Sequence, residues 1–257
     1  MKAIILVGGE GTRLQPLTNT TVKTMVPVLN KPFLEYVVQH LKNYDVNGVV
    51  LTLCHKPHQI EEYFGNGSKF NTHLSYIIED FPLGTAGAVK NAQQYITESF
   101  FVLNGDIFTD LDLSDMLSFH QQKKAKVTIA LTPVDDPTLY GVVECDAQDR
   151  VTRFVEKPPR DKVTTNMINA GIYILEPDIL SYIPENCHSM LEHYLFPKLV
   201  AEGIPIFGYP SLDYWIDMGT PEKYRRLNYD LLLGKSKQIK EYRHGDEIHA
   251  EEETFIH

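Results

Sequence analysis

The stretch ILVGGEGTRLQPL, residues 5–17, joins a run of apolar residues to a glycine-rich loop that ends in an arginine. A continuous apolar run followed by glycines is typical of a covered strand that ends at the ligand-binding edge of a sheet. Backbone N–H groups in such a loop can approach phosphate oxygens closely. A plain strand-to-loop turn would also account for the glycines, but it leaves the Thr12-Arg13 pair behind them unexplained.

Two familiar phosphate-binding motifs do not fit the spacing of this loop. The dinucleotide motif G-x-G-x-x-G, counted from Gly9, requires glycine at the position of Leu14. The mononucleotide motif G-x-x-x-x-G-K-[ST], counted from Gly8, requires glycine at the position of Arg13. The loop is therefore a candidate phosphate site of another kind.

The composition of the chain restricts its partners. The 257 residues carry a net charge of −10, which argues against general binding of nucleic acid or of anionic membranes. A bound polyphosphate would need local cations and a metal ion. The cysteines Cys54, Cys145 and Cys187 show no metal or redox spacing, which predicts free thiols in a reducing compartment. With no signal peptide and no membrane-spanning run in sight, we expect a cytoplasmic protein.

Strand and helix patterns alternate with short links as far as residue 134, which predicts an α/β fold with a mainly parallel sheet. Within this half, KVTIALTPV is expected to be the fifth strand, and the helix LSDMLSFHQQKKA is expected to be capped by Ser114. Residues 135–234 contain several strand-like segments, and HSMLEHYLFPKLVAEG is expected to be helical. We therefore expect one domain, residues 1–234, with halves at 1–134 and 135–234, and a polar tail at 235–257 that is mobile or only loosely docked.

Ligands of open α/β sheets bind beyond the carboxyl ends of the strands, which directs attention to three loops. Arg13 offers a planar set of donors suited to phosphate, and Lys23 beside it could stabilise charge on a transferring phosphoryl group. Asp106 follows the apolar strand of SFFVLNGD and could hold Mg²⁺, although a turn cap is the simpler interpretation. A second acid, Asp217, stands between Ile216 and Met218, where a bare carboxylate would need a partner.

The segment VEKP places Glu156 and Lys157 directly before a proline. Neighbouring strand residues point to opposite faces unless the strand ends between them, and Pro158 indicates that it does. The lysine could then take a phosphate and the glutamate could take hydroxyl groups. A surface charge pair is the alternative interpretation.

Eight motifs in order resemble one family. These are GGEGTRLQPLT, VKTMVPVLNKPFLEY, EDFPLGTAGAV, VLNGD, YGVVE, VEKP, NAGIY and WIDMGTPEKY, spread over residues 1–234. The set resembles the sugar-1-phosphate nucleotidyltransferases, most closely the mannose-1-phosphate guanylyltransferase branch. The resemblance implies a Rossmann-like fold with a mixed sheet flanked by helices and a β-rich sugar-binding portion. It also implies transfer of a nucleotidyl group from a nucleoside triphosphate to a sugar 1-phosphate, with Mg²⁺ and release of pyrophosphate.

The resemblance also assigns roles to residues of this chain. Catalysis would fall to Arg13, Lys23, Asp106 and Asp217, of which Asp106 and Asp217 would ligate Mg²⁺. Nucleotide binding would involve Leu6, Gly8, Gly9, Gly11, Thr12, Arg13, Glu79, Gly84 and Thr85. Sugar-phosphate binding would involve Gly141, Glu156, Lys157 and Asn169.

The chain departs from the family pattern in two places. Val22 and Thr24 flank Lys23 where the family often has prolines. Many relatives in the guanylyl branch continue into a β-helix of hexapeptide repeats. This sequence stops at EEETFIH, so we expect that accessory domain to be absent or removed.

Glu79 bears on the choice of base. In the family this position faces the edge of the base, and an ionised glutamate can only accept hydrogen bonds. Guanine presents two adjacent donors, whereas uracil and thymine suit a glutamine that both donates and accepts. The sequence therefore predicts GTP and, from the resemblance, mannose 1-phosphate.

Two alternatives stay open from the sequence. One is a uridylyl- or thymidylyltransferase acting on glucose 1-phosphate. The other is a catalytically silent sensor of nucleotide-sugar that regulates a partner enzyme, although a sensor need not keep Arg13, Lys23, Asp106 and Asp217 together. The expected partners are small-molecule substrates, with no nucleic acid and no membrane, and homo-oligomerisation is left open.

Overall fold

The structure is a computed structural model that describes residues 1–46 and 48–238. It confirms the expected fold class: a mixed, mainly parallel sheet of nine strands with helices packed on both faces. The strands are β1 (Lys2–Val7), β2 (Pro27–Val28), β3 (Lys31–Pro32), β4 (Gly48–Leu53), β5 (His73–Ile78), β6 (Phe100–Asn104), β7 (Ile107–Thr109), β8 (Val127–Pro133), β9 (Gly141–Cys145), β10 (Val151–Glu156), β11 (Met167–Leu175), β12 (Ile206–Pro210) and β13 (Trp215–Asp217). The α-helices are α1 (Phe33–Asn43), α2 (Pro57–Phe64), α3 (Gly84–Asn91), α4 (Leu113–Lys123), α5 (Phe196–Ala201) and α6 (Pro221–Leu232).

The parallel part of the sheet is centred on β1. This strand pairs in parallel with β4 on one edge and with β6 on the other, and β5 pairs in parallel with β4. Ala3, Ile4 and Ile5 are fully buried because helices cover both faces of the strand. The carboxyl ends of β1, β4 and β6 therefore meet at one edge, where the glycine-rich loop begins.

Strand β11 joins the two halves of the chain into one sheet. It pairs antiparallel with β6 and with β8, and its register shifts between Asn169 and Tyr173. The expectation that β8 extends the run of βαβ units is wrong, since β8 pairs with β11 and β12 and not with the parallel strands around β1. The alternation of elements along a sequence does not show which strands become neighbours.

One local expectation needs correction, and two further features were not specified by the sequence: the type of one predicted helix and a short strand pair. Helix α4 is capped by Asp112, whose Oδ1 accepts hydrogen bonds from the backbone N–H groups of Ser114 (2.9 Å) and Asp115 (3.0 Å), so Ser114 is not the cap. The predicted helix around residue 195 is a π-helix, Leu191–Leu195, followed by α5. The short antiparallel pair β7–β13 was not expected, because each strand has only three residues.

The C-terminal part of the domain packs back on the first half. Asn228 of α6 accepts a hydrogen bond from the backbone of Leu29 at 2.8 Å. Beyond α6, Ser236 donates to Asp110 at 2.7 Å and the backbone of Lys237 donates to the same carboxylate at 2.8 Å. The first residues of the predicted tail are therefore docked, and residues 239–257 lie outside the described part of the chain. No helix among the described residues is long and apolar enough to cross a membrane.

Candidate active site

A cleft of about 480 Å³ opens at the carboxyl ends of β1, β4 and β6. It contains every residue that the sequence assigned to the nucleotide, together with Lys23 and Asp106. The lining residues are Leu6, Val7, Gly8, Gly9, Gly11, Thr12, Arg13, Lys23, Thr24, Thr52, Glu79, Pro82, Gly84, Thr85, Ala88, Asn104, Asp106, Met190 and Gly219. Seven separate parts of the chain thus converge on one cavity.

The glycine-rich loop packs tightly against Lys23. Gly11 has a φ of +68°, and a Cβ atom at this position would lie 2.8 Å from Cβ of Lys23. Only glycine combines this conformation with such a close approach. The next residues form a short 3₁₀ helix in which Leu14 is fully buried and Arg13 is exposed beside the cleft. The loop thereby holds two cationic side chains at the same end of the cavity.

Lys23 and Asp106 form an ion pair inside the cleft. The lysine is only 9% exposed, so its ammonium group needs such a partner. Asp106 directly precedes β7, and its carbonyl oxygen accepts a hydrogen bond from the backbone of Met218 at 2.8 Å. Because β13 pairs with β7, the structure places Asp217 opposite Ile107. The two acids that the sequence assigned to a metal are therefore held on neighbouring strands.

The carboxylate of Asp217 has the partners that its apolar neighbours require. Its Oδ1 accepts a hydrogen bond from the Tyr140 hydroxyl at 2.9 Å and pairs with Lys223. A Cβ atom on Gly219 would lie 2.7 Å from Asp217 Oδ2 and 3.6 Å from Arg13 Nη2, so the carboxylate also lies near the guanidinium. Asp217 lines a second cleft, of about 350 Å³, rather than the first.

Glu79 also lines the first cleft and is 7% exposed. Its backbone N–H donates to Leu53 at 2.7 Å, and its Oε2 accepts from the backbone of Leu83 at 3.1 Å. Burial raises the pKa of the Glu79 carboxyl, and the hydrogen bond from Leu83 partly opposes that rise. The cleft therefore offers a buried carboxyl group as a hydrogen-bond acceptor.

The hydroxyl of Thr85 is directed to the protein and not to the open cleft. It donates to Glu192 Oε2 at 2.8 Å and accepts from the backbone of Leu191 at 2.8 Å. The other oxygen of Glu192 accepts from Tyr173 at 3.3 Å, and Tyr173 in turn accepts from Asn169 at 2.9 Å. We call Thr85, Glu192, Tyr173 and Asn169 the Glu192 network. It links the wall of the nucleotide cleft to a residue predicted to bind the sugar phosphate.

Burial dominates the electrostatics of this network. It raises the pKa of the Glu192 carboxyl, and the nearby negative charge of Glu156 raises that pKa further. The same charge contribution shows that Glu156 lies within electrostatic range of the network.

Gly141, Glu156 and Lys157 form a cluster next to this network. β10 ends at Glu156, as Pro158 indicated, and Lys157 has a φ of +46°. The two side chains consequently meet, with Lys157 Nζ 3.4 Å from Glu156 Oε1. A Cβ atom on Gly141 would lie 2.7 Å from Glu156 Oε2, so the carboxylate closely covers this glycine.

Sequence reasoning missed several residues of the site. Tyr140 stands next to a predicted residue, and Lys223 lies six positions after Asp217, so both could have been found by asking what neutralises that acid. Glu192 was hidden within a helical pattern. Thr24 Oγ1 and Asn104 Oδ1 line the cleft as buried atoms without a hydrogen-bond partner among the described residues.

Comparisons with known proteins agree with this geometry. A family model described as Nucleotidyl transferase matches residues 2–233. The mannose-1-phosphate guanylyltransferase of Mycobacterium tuberculosis is 39% identical over 237 residues, which cover 90% of this chain and 65% of that protein. The UTP–glucose-1-phosphate uridylyltransferase of Synechocystis sp. is 35% identical over 254 residues, or 93% of this chain and 65% of that protein.

A solved structure adds a match in three dimensions. The crystal structure of HddC from Yersinia pseudotuberculosis complexed with GMP-PN superposes with a TM-score of 0.77 at 32% identity. The match covers 90% of this chain and 99% of that one. The chain spans about two thirds of the length of the curated relatives above. Since the family model covers nearly the whole described domain, the chain belongs to the nucleotidyl transferase family.

Proposed function

We propose that this protein transfers a nucleotidyl group from a nucleoside triphosphate to a sugar 1-phosphate, with release of pyrophosphate. The observation that carries the proposal is the convergence of Arg13, Lys23 and Asp106 on the glycine-rich loop, with Asp217 on the neighbouring strand. Family membership supports it, and so do the activities for which both relatives are named. Of the two substrates, the nucleotide is the better defined by the geometry.

GTP is the triphosphate that the cleft favours. Glu79 offers a buried carboxylate, and guanine is the base whose edge presents two adjacent donors. The HddC structure with GMP-PN and the guanylyltransferase of M. tuberculosis support a guanine nucleotide. The latter also supports mannose 1-phosphate as the acceptor. The uridylyltransferase of Synechocystis supports UTP and glucose 1-phosphate as the alternative pair.

The residues of the site fit a divalent cation bound together with the nucleotide. Among residues 1–46 and 48–238, no group of three or more His, Cys, Asp or Glu side chains could hold a metal ion by itself. Asp106 and Asp217 supply a pair of carboxylates, which is the protein contribution that Mg²⁺ prefers when phosphate oxygens and water complete its shell. These two residues would hold the ion, which would neutralise phosphate charge when bound.

The remaining chemistry falls to the side chains of the cleft. An oxygen of the sugar phosphate attacks the α-phosphorus, and the bond to pyrophosphate breaks in line with it. Both reactants are anions, so Arg13 and Lys23 would lower the cost of bringing them together. Backbone N–H groups of the loop would fix the triphosphate, and positioning would supply much of the remaining rate enhancement. No covalent nucleophile is required.

The acceptor would bind in the second half of the chain. Lys157 would contact the phosphate of the sugar phosphate. Glu156 would accept hydrogen bonds from the hydroxyl groups of the sugar, and Asn169 would donate to them. The close contact between Gly141 and the Glu156 carboxylate supports one defined position for that carboxylate. The Glu192 network would then connect the acceptor site to the nucleotide cleft.

A screen for pyrophosphate release tests the proposal. GTP, UTP, dTTP and ATP are each combined with mannose 1-phosphate or glucose 1-phosphate in the presence of Mg²⁺. We expect the fastest release with GTP and mannose 1-phosphate, and a reduced preference for GTP in Glu79→Gln. Faster turnover with UTP or dTTP would contradict the assignment of the base. No release with any pair, together with measurable binding of a GDP-sugar, would favour a regulatory sensor.

A further inference from the structure

Lys223 occupies an unusual position for a lysine. It lies in the first turn of α6, where Thr220 accepts a hydrogen bond from its backbone N–H at 3.4 Å. The positive end of the helix dipole disfavours a cation there, so a local partner must compensate. That partner is Asp217, with which the Lys223 ammonium group forms an ion pair.

Tyr140 fixes this ion pair from a second side. Lys223 Nζ donates to the Tyr140 hydroxyl at 2.5 Å and lies 4.8 Å from the centre of its ring. The same hydroxyl donates to Asp217 Oδ1 at 2.9 Å. Three groups therefore form a closed triangle, and the side chains of Lys223 and Asp217 are only 28% and 14% exposed. Such a half-buried pair is screened by solvent less than a surface pair.

The other acid, Asp106, also pairs with a lysine, Lys23. Each of the two carboxylates proposed to hold the cation thus has its own ammonium group. With Arg13 close to Asp217, the cationic side chains of Arg13, Lys23 and Lys223 lie beside the two carboxylates. A free divalent cation gains little from entering such a site, because its attraction to the acids is offset by repulsion from the bases.

We infer that Lys223 is a positioning residue that neutralises the Asp217 carboxylate in the free protein and competes with a divalent cation for it. The inference rests on the proposed function, since it takes Asp217 as a metal ligand. It follows that the protein alone binds the cation weakly. The cation would enter together with the triphosphate, because the negative charge of the phosphates offsets the positive charge of the lysines. Lys223 is not one of the residues assigned above to bind the substrates.

The test is the binding of Mn²⁺ to the full chain without nucleotide. The electron paramagnetic resonance signal of Mn²⁺ that stays free in solution measures the binding. Lys223→Met is expected to bind Mn²⁺ roughly tenfold more tightly than the wild type, because it removes a unit charge a few ångströms from the carboxylate. Lys223→Arg keeps the charge and should resemble the wild type. Asp217→Asn, added to Lys223→Met, should abolish the gain.

Lys235→Met is the matched control, because it breaks a comparable pair, 2.6 Å long, with the buried Asp230 outside the site. Its Mn²⁺ affinity should equal that of the wild type. Lys223→Gln is measured in parallel, and thermal unfolding midpoints confirm that each variant is folded. Unchanged or weaker Mn²⁺ binding by the two folded neutral variants, Lys223→Met and Lys223→Gln, would overturn the inference.

A second titration separates this inference from the proposed function. With GTP present, the wild type should bind Mn²⁺ tightly and Asp217→Asn should weaken that binding. If this result holds and the Lys223 variants show no gain without GTP, only the role of Lys223 fails. If GTP does not promote Mn²⁺ binding and Asp217→Asn has no effect in any background, the metal site of the proposed function fails as well.

Discussion

Glu79 illustrates how burial changes the behaviour of a single recognition group. Its carboxyl is 7% exposed and keeps a hydrogen bond from Leu83, but burial still raises its pKa above the ordinary value of 4.5. Only the ionised form can accept both donors of guanine. Under the proposed function, recognition of the base would therefore depend on pH, with a midpoint above that of an exposed glutamate.

We predict that the affinity for GTP falls as the pH is lowered through this raised pKa. The protonated carboxyl predominates below the pKa and loses one acceptor, whereas above it the carboxylate is intact. The measurement is the dissociation constant of GTP between pH 4.5 and 8, and Glu79→Gln should show no such titration. An affinity in the wild type that follows the Glu79→Gln profile would contradict the role of Glu79.

Asp106 separates function from folding at the same scale. We predict that Asp106→Asn lowers kcat on the order of 100-fold, because charge stabilisation at a reacting phosphate is typically worth that much. Its effect on stability should be smaller than its effect on turnover: the variant no longer neutralises the buried Lys23 ammonium group, but the amide oxygen of asparagine can still accept a hydrogen bond from it. Pyrophosphate release and the midpoint of thermal unfolding are measured on the same preparation. A comparable loss of both would make Asp106 a structural residue.

At the scale of an element, the start of α4 depends on one side chain. Asp112 accepts two backbone hydrogen bonds at the N-terminus of this helix. We predict that Asp112→Ala lowers the free energy of unfolding by about 1 kcal/mol. Ser114→Ala is the control, because its hydroxyl is not the cap and its loss should change stability by a few tenths of a kcal/mol at most. Urea unfolding measures both, and a larger cost for Ser114→Ala would contradict this assignment.

The elements also show what the sequence could predict. Strand β1 was predictable because five of its six residues are apolar and two glycines follow it. The pairing of β8 with β11 was not, since it depends on a return of the chain from about 40 residues away. Residues of the glycine-rich loop were found because their spacing is local. Glu192 was missed because its partner Thr85 is distant in sequence, whereas Lys223 lies only six positions after its partner Asp217 and could have been found.

For the molecule as a whole, the two halves of the chain are not separate bodies. β11 from the second half pairs with β6 from the first, and α6 returns to contact Leu29. The contacts of Ser236 with Asp110 extend the domain past the predicted boundary at residue 234. The free energy of global unfolding should therefore depend on buried groups in either half of the chain.

His40 is such a buried group. It is 3% exposed, and burial lowers its pKa from 6.5 to about 4. The unfolded chain binds a proton in this interval while the folded protein does not, so stability is present above pH 6.5 and is lost as the pH falls towards 4. The loss amounts to about 3 kcal/mol at most.

The prediction is tested by urea unfolding of the wild type and His40→Gln between pH 4 and 7. Glu79 and Glu192 have raised pKa values and contribute with the opposite sign, so the informative quantity is the difference between the two proteins. We expect the stability of the wild type relative to His40→Gln to decrease as the pH is lowered. A difference that stays constant over this range would contradict the assignment.

The Glu192 network has a thermodynamic consequence for any two ligands that bind on either side of it. Thr85 lines the first cleft, Asn169 belongs to the predicted acceptor site, and three hydrogen bonds, one buried and two part-buried, connect them. If binding of the first ligand changes the affinity for the second by some factor, binding of the second ligand must change the affinity for the first by the same factor. Glu192→Ala should therefore reduce both of these factors equally. In this variant, the dissociation constant of each ligand should no longer depend on the presence of the other.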